Sequence, residues 1–287
     1  MDESQEHIPK IDGSQASRIY LLPNLFTAGN LFFGFLSIQS CIFARFEVIT
    51  DGTSANQLYT NAVLYILAGM LCDSLDGRVA RMGGRESLFG KEFDSIADVV
   101  AFGVAPALMV LFLILQPEES EFFKKIGFLL SFVYLLCAGV RLARFNVITH
   151  PAVYPANIDR SNKDFIGLPV PAAAGIISTL VLLLTRQDLQ RFAYLLPFLM
   201  LLISYLMISS IRYPSFKEVN WSTKIRFRTF VALFALGGSI YLFKPLAPYF
   251  LVFIFLSYLF YGVGRHLMMM RRIRKAEKAN ISNANNS

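Results

Sequence analysis

The chain alternates between long apolar runs and short polar segments. Eight runs come close to the roughly 20 residues that an α-helix needs to cross the hydrocarbon of a bilayer. An amphipathic stretch at 18–27 precedes the first run and is typical of a helix lying in the membrane interface. The sequence predicts an all-α, polytopic membrane protein with an N-terminal interfacial helix and eight transmembrane helices. Those helices are expected at residues 28–46, 59–81, 94–115, 126–146, 167–185, 193–213, 228–244 and 247–269.

The two ends of the chain do not follow this pattern. Residues 1–17 are polar, and residues 270–287 are basic and then rich in asparagine. Both are expected to be disordered tails, because they contain too little apolar surface to pack. The stretch between them, 18–269, is expected to form a single membrane domain.

Composition and charge support a membrane protein rather than a nucleic-acid-binding one. Apolar residues make up 55% of the 287 residues, and the net charge of +7 comes from basic residues at the ends of apolar runs. On the eight-helix topology, 21 of the 27 lysines and arginines fall on one side and 6 on the other. The positive-inside rule then predicts that both termini are cytoplasmic. We expect an integral protein of a bacterial or archaeal cytoplasmic membrane.

Four aspartates interrupt the second and third apolar runs. Asp73 and Asp76 are three residues apart, and Asp94 and Asp98 are four apart, so each pair shares one helix face. Two antiparallel helices joined by a polar turn at 82–93 would point all four carboxylates into one gap, on the cytoplasmic side. Ionisable residues inside a membrane are expensive and mark functional sites by default.

Divalent cations would relieve the repulsion among these carboxylates. Hard oxygen ligands suit Mg²⁺, Mn²⁺ or Ca²⁺ better than Zn²⁺. The structural alternative is an ion-pair cluster in which the acids are paired with Arg78, Arg81 and Arg85. That alternative leaves unexplained the small residues, Gly77 and Ala80, on the face that carries the first two acids.

The acids belong to a longer motif that resembles the signature of the CDP-alcohol phosphotransferase family. The resemblance implies transfer of a phosphatidyl group from CDP-diacylglycerol to a small alcohol, a pair of Mg²⁺ or Mn²⁺ ions, and a homodimer. It implies that Asp73, Asp76 and Asp94 hold the metal pair, and that Asp98 is both a ligand and the general base. The eight positions of the motif are Asp73, Asp76, Gly77, Ala80, Arg81, Gly90, Asp94 and Asp98.

The same resemblance implies a binding site for CDP-diacylglycerol around the motif. Asn24 and Thr27 match a Pro-Asn-x-x-Thr segment that lies beside the nucleotide in the family. Thr27 as a helix N-cap is an equally good interpretation, and both can hold. Gly77 and Ala80 leave room for the ligand, and the fork of Arg81 suits a diphosphate. Ser87 matches a hydroxyl near the phosphate, with a surface-loop serine as the alternative.

Residues at the end of the fourth predicted span indicate the acceptor. Arg141, Arg144 and Asn146 resemble the branch of the family that uses L-serine, and a cationic pocket would recognise the serine carboxylate. The alternative for both arginines is membrane anchoring.

Other functions remain open at this point. The same chemistry could use glycerol 3-phosphate, inositol phosphate or choline as the acceptor. Intramembrane acids also occur in cation carriers, and a non-catalytic lipid-binding scaffold is the third alternative.

Overall fold

The structure is a computed structural model that describes residues 21–50, 52–83, 88–114, 121–149, 165–187, 189–213 and 246–284. These residues form eight α-helices, a π-helical segment, a 3₁₀ turn and one short pair of strands. In chain order they are α1 (Leu21–Thr50), α2 (Gly52–Gly83), α3 (Leu88–Asp98), the π-helical segment Val99–Val104, α4 (Ala105–Ile114), α5 (Glu121–Thr149), β1 (Phe165–Ile166), α6 (Val170–Arg186), the 3₁₀ turn Gln190–Leu195, α7 (Leu196–Ile208), β2 (Arg212–Tyr213) and α8 (Ala247–Ala284).

By length and composition, six stretches of the described residues are able to cross a membrane. They coincide with six of the eight predicted spans. The fifth predicted span is the shorter apolar helix α6, of 17 residues. The seventh, at 228–244, lies outside the described residues, so the count of eight stays a prediction. The six stretches are Asn24–Phe46, Ala55–Gly77, Phe89–Leu113, Lys125–Ile148, Arg191–Ile208 and Pro248–Arg271.

Three predicted boundaries differ from the structure. Helix α1 begins at Leu21 without a break before Thr27, so the described part of the expected interfacial helix is continuous with the first span. The polar turn is shorter than predicted, because α2 ends at Gly83 and α3 already begins at Leu88. Helix α8 continues to Ala284, so the expected disorder of the C-terminal tail is wrong for 270–284. Good helix formers such as Met, Arg, Lys and Ala extend that helix. The N-terminal tail, 1–17, lies outside the described residues.

Among the described residues, helices α1 and α2 make the most extensive helix–helix contact. Small residues allow their backbones to approach, as is common between membrane helices. A Cβ atom added at Gly29 would lie 3.4 Å from Cys72 Sγ, and one added at Gly69 would lie 2.9 Å from Asn30 Oδ1. This close packing sets the polar side chains of α1 directly beside the acidic end of α2.

A π-helical segment, Val99–Val104, follows Asp98 and ends two residues before a proline. Pro106 has no N–H, so the carbonyl of Phe102, four residues earlier, lacks its α-helical partner. The fully buried Tyr134 hydroxyl of α5 donates to that carbonyl at 3.0 Å. The N–H of Ala105 bonds the carbonyl of Val100, five residues back. Single π-helical turns are frequent at functional sites, and this one starts directly after a motif aspartate.

A short antiparallel pair, β1 with β2, connects the start of α6 to the end of α7. Phe165 pairs with Tyr213, and Ile166 pairs with Arg212. Gly167 follows with φ of +80°, a conformation that favours glycine, and a Cβ there would contact the carbonyl oxygen of Met207. The pair holds Tyr213 of β2 against Tyr258 of α8, with ring centroids 5.8 Å apart.

Candidate active site

Three motif carboxylates converge between α2 and α3. Asp73 and Asp76 come from the last turns of α2, and Asp94 comes from the second turn of α3. One carboxylate oxygen from each lies within 4.8 Å of the other two. Asp76 is buried, whereas Asp73 and Asp94 are half-buried. The predicted meeting of the two acid pairs is therefore confirmed for three of the four residues.

The fourth acid, Asp98, lies beside this group rather than within it. Its side chain is buried, at 7% exposed, and it is the last residue before the π-helical segment. It lies close enough to Asp73, Asp94 and Asp76 for their charges to interact. Asp98 therefore lies next to the three-carboxylate group without belonging to it.

Helix α1 supplies a hydrogen-bond donor to each buried acid. The Thr27 hydroxyl donates to Asp76 Oδ2 at 3.0 Å, and Asn30 Nδ2 donates to Asp98 Oδ1 at 3.0 Å. Thr27 cannot be the N-cap of this helix, because α1 begins six residues earlier. Sequence reasoning missed Asn30. The available signal was a second polar residue one turn beyond Thr27 in an apolar run.

The converging carboxylates fit a divalent cation. Three oxygen donors this close together carry charges that repel strongly when partly removed from water. Hard carboxylate oxygens are the ligands that Mg²⁺, Mn²⁺ and Ca²⁺ prefer. Asp73, Asp76 and Asp94 therefore form a donor set suited to such an ion.

The residues predicted to contact CDP-diacylglycerol are only partly described. Asn24 is half-buried, and its Nδ2 atom is buried without a hydrogen-bond partner among the described residues. Gly77 is half-buried on α2. Ala80 and Arg81 continue the same helix, but their side chains lie outside the description, as does Ser87 altogether. An amide donor that has no partner among the described residues is suited to a polar ligand at the start of α1.

The three residues predicted to bind serine have different surroundings. Arg141 is buried, at 8% exposed, and it interacts electrostatically with Asp98 and with Tyr258 of α8. Arg144 is exposed, and its NH1 atom donates to the carbonyl of Ile208 at 3.4 Å. Asn146 Nδ2 donates to Ser95 Oγ at 2.8 Å. Arg141 thus interacts with a motif aspartate. No sequence pattern indicated that Tyr258 would lie beside Arg141.

Comparison with known proteins assigns the family. The sequence model of the CDP-alcohol phosphatidyltransferase family matches residues 20–208, which include the whole motif. A Helicobacter pylori protein named CDP-diacylglycerol–serine O-phosphatidyltransferase is 36% identical over 259 residues, 89% of this chain and 94% of the relative.

Archaeal relatives show the same family assignment. The archaetidylserine synthase of Methanothermobacter thermautotrophicus is 37% identical over 204 residues, 70% of this chain and 73% of the relative. A Methanocaldococcus jannaschii protein named CDP-diacylglycerol–serine O-phosphatidyltransferase is 33% identical over 219 residues, 76% of this chain and 90% of the relative. Three acids of the motif converge in the structure, and the family model matches most of the chain. The chain therefore belongs to the CDP-alcohol phosphatidyltransferase family.

Proposed function

We propose that the protein transfers the phosphatidyl group of CDP-diacylglycerol to the hydroxyl of L-serine, forming phosphatidylserine and CMP. The observation that carries the proposal is the convergence of Asp73, Asp76 and Asp94 with Asp98 beside them. The choice of serine is supported by relatives named as serine phosphatidyltransferases, which cover most of this chain.

Asp73, Asp76 and Asp94 would hold a pair of Mg²⁺ or Mn²⁺ ions, with Asp98 as an additional ligand. Ca²⁺ also suits the oxygen donors. When bound, such ions neutralise the diphosphate charge and stabilise an in-line displacement. The contribution of the protein is to hold the carboxylates in place, and the Thr27 hydroxyl does so for Asp76.

Asp98 would act as the general base. The serine hydroxyl oxygen forms a bond to the lipid-linked phosphorus while its proton passes to the Asp98 carboxylate. The bond from that phosphorus to the bridging oxygen breaks, and CMP leaves with the electron pair. A neutral alcohol is a weak nucleophile, so a positioned base accelerates this step. Burial of Asp98 beside the acid group supports the assignment.

The nucleotide side would be formed by α1 and the end of α2. Asn24 and Thr27 would contact the CDP moiety, and the Nδ2 donor of Asn24, which has no partner among the described residues, supports this role. Gly77 and Ala80 would leave space for the ligand. Arg81 would bind the diphosphate on the departing CMP side. Ser87 would contribute a hydroxyl near the phosphate.

The acceptor side would be formed by the end of α5. Arg141 would pair with the serine carboxylate, and its burial beside Asp98 supports this position. Arg144 and Asn146 would complete the serine side, although each also has a protein partner. We also propose cytoplasmic termini, a site opening to the cytoplasm of a bacterial or archaeal cell, and a homodimer. The basic-residue asymmetry supports the topology.

The decisive experiment is CMP release from CDP-diacylglycerol by the purified protein. Release should require L-serine and either Mg²⁺ or Mn²⁺, and the lipid product should be phosphatidylserine. Glycerol 3-phosphate, inositol phosphate and choline, supplied singly at the same concentration, should give little release. Preferential use of one of these would show that the acceptor is misassigned while the transfer chemistry stands. The Asp98→Asn variant is the matched control for background hydrolysis.

A further inference from the structure

We propose that Asn30 is the positioning residue for Asp98: its amide holds Oδ1, so that Oδ2 is the oxygen that receives the serine proton. The inference rests on the proposed function, because it assumes that Asp98 is the general base. It adds a residue of α1 that lies outside the aspartate motif.

The first support is the geometry of the hydrogen bond. Asn30 Nδ2 lies 3.0 Å from Asp98 Oδ1, and the two residues are 68 positions apart in sequence. Asn30 is fully buried and Asp98 is 7% exposed. A hydrogen bond to a charged group in such surroundings is stronger than one between neutral groups. It fixes the rotation of the carboxylate about its Cβ–Cγ bond.

The second support is that the amide has only one workable direction. The opposite edge of the amide, Asn30 Oδ1, faces Gly69 of α2, where an added Cβ would lie 2.9 Å away. Turning the amide over would place its oxygen against the Asp98 oxygen, and two acceptors repel each other. The absence of a side chain at Gly69 therefore leaves space for the amide in its donating orientation.

The third support is the choice of residue type. An amide donates a hydrogen bond but carries no charge, so it orients the carboxylate without neutralising it. Asn30 lies one turn beyond Thr27, which makes the corresponding bond to Asp76. Helix α1 thus holds a metal-site acid and the proposed base by two neighbouring donors on one face.

Two substitutions test the proposal from different directions. Asn30→Leu keeps a side chain of similar size and removes the hydrogen-bond donor. Gly69→Ala leaves every polar group in place and adds a methyl group against the amide. Gly29→Ala is the matched control, because its added Cβ enters the same α1–α2 interface but meets Cys72 Sγ at 3.4 Å, an ordinary contact.

The expected result is a loss in kcat with substrate and metal binding retained. Asn30→Leu should lower kcat by roughly 10- to 150-fold, the factor that corresponds to one hydrogen bond to a charged group. Gly69→Ala should lower kcat by up to about 10²-fold, since a displacement of about 1 Å has that effect. The KM for CDP-diacylglycerol should stay close to that of Gly29→Ala. The Mn²⁺ affinity of Gly69→Ala, measured by electron paramagnetic resonance, should also stay close to the control.

Two outcomes would overturn the proposal. One is a kcat for both variants that matches Gly29→Ala. The other is a loss of kcat that always accompanies an equal loss of Mn²⁺ affinity and of melting temperature, which would make Asn30 a packing residue. Asp98→Asn in the same assay separates the two hypotheses. If that variant is active, the proposed base is wrong; if it is inactive while both Asn30 and Gly69 variants are normal, the positioning role alone is wrong.

Discussion

The site has a carboxylate side and a cationic side that are built differently. On the carboxylate side, three acids from two consecutive helices converge. On the cationic side, three residues at the end of α5 have three different surroundings. The acids have ligand oxygens within 4.8 Å of one another. Among the cationic-side residues, Arg141 is buried near Asp98, Arg144 is exposed and bonds the end of α7, and Asn146 bonds Ser95 of α3.

The difference shows what a sequence motif specifies. Helical spacing places each acid pair on one face of its helix, and in adjacent antiparallel helices these faces can meet. Three residues within six positions of one helix are spread around its circumference, and their partners come from different helices. A motif that bridges two helices therefore constrains a site more strongly than a cluster on one helix.

The largest effect is expected from removing an acid of the three-carboxylate group. Asp76→Ala should abolish activity and weaken Mn²⁺ binding, because one of three converging oxygen ligands is lost, together with the hydrogen bond from the Thr27 hydroxyl to Asp76. Titration of Mn²⁺ followed by electron paramagnetic resonance measures the affinity without turnover. The control is Asp188→Ala, outside the motif. Unchanged affinity and activity in Asp76→Ala would mean that the carboxylates are structural.

Asp98→Asn distinguishes the role of general base from the metal binding of the three-carboxylate group. Loss of a general base lowers the rate by ~10²–10⁴-fold, while most of the metal binding should remain because Asp98 lies beside the group. Single-turnover CMP release gives the rate, and binding of CDP-diacylglycerol is measured separately. Near-normal turnover would contradict the assignment. A collapse of Mn²⁺ affinity equal to that of Asp76→Ala would instead make Asp98 chiefly a ligand.

The cationic side is tested most directly by Arg141→Lys. A lysine keeps the charge but not the bidentate fork of the guanidinium. Loss of one charge-assisted hydrogen bond should raise the KM for serine by roughly 10- to 150-fold. The KM for CDP-diacylglycerol should change far less, as expected when an interaction serves one substrate. Equal changes in both constants would assign Arg141 to the diphosphate or to the Asp98 environment.

Much of the carboxylate side was predictable and much of the cationic side was not. Helical spacing predicted the meeting of Asp73, Asp76 and Asp94, because the information lies within one pair of helices. Burial of Arg141 next to Tyr258 depends on α8, which lies more than 100 residues further along the chain. No local pattern encodes such a contact. The partner of Asn30 was equally unpredictable, since Asp98 lies 68 positions away, although the polar residue itself stood out in an apolar run.

The π-helical segment was also beyond prediction, although one of its causes is visible in the sequence. Pro106 shows in the sequence that one backbone N–H is missing. The donor that bonds the Phe102 carbonyl in its place is Tyr134, on a different helix. Tyr134→Phe should leave the Phe102 carbonyl without this partner and lower the free energy of unfolding by ~1–3 kcal/mol. Thermal unfolding in detergent measures the change. Tyr205→Phe, at an exposed position of α7, is the control, and equal melting temperatures for the two variants would contradict the role of Tyr134.

The smallest effect is expected at Arg144, the exposed arginine of the cationic side. Its NH1 atom donates to the last carbonyl of α7, and a cation at a helix C-terminus stabilises it by ~0.3–1 kcal/mol. Arg144→Lys retains the charge, so it should shift the melting temperature slightly and the serine KM much less than Arg141→Lys does. Both arginines were predicted to read the serine carboxylate, but they differ in burial and in partners. A rise in serine KM that equals the effect at Arg141 would show that Arg144 leaves Ile208 when serine binds. A negligible rise would restrict carboxylate recognition to the buried arginine, the one that interacts with the proposed base.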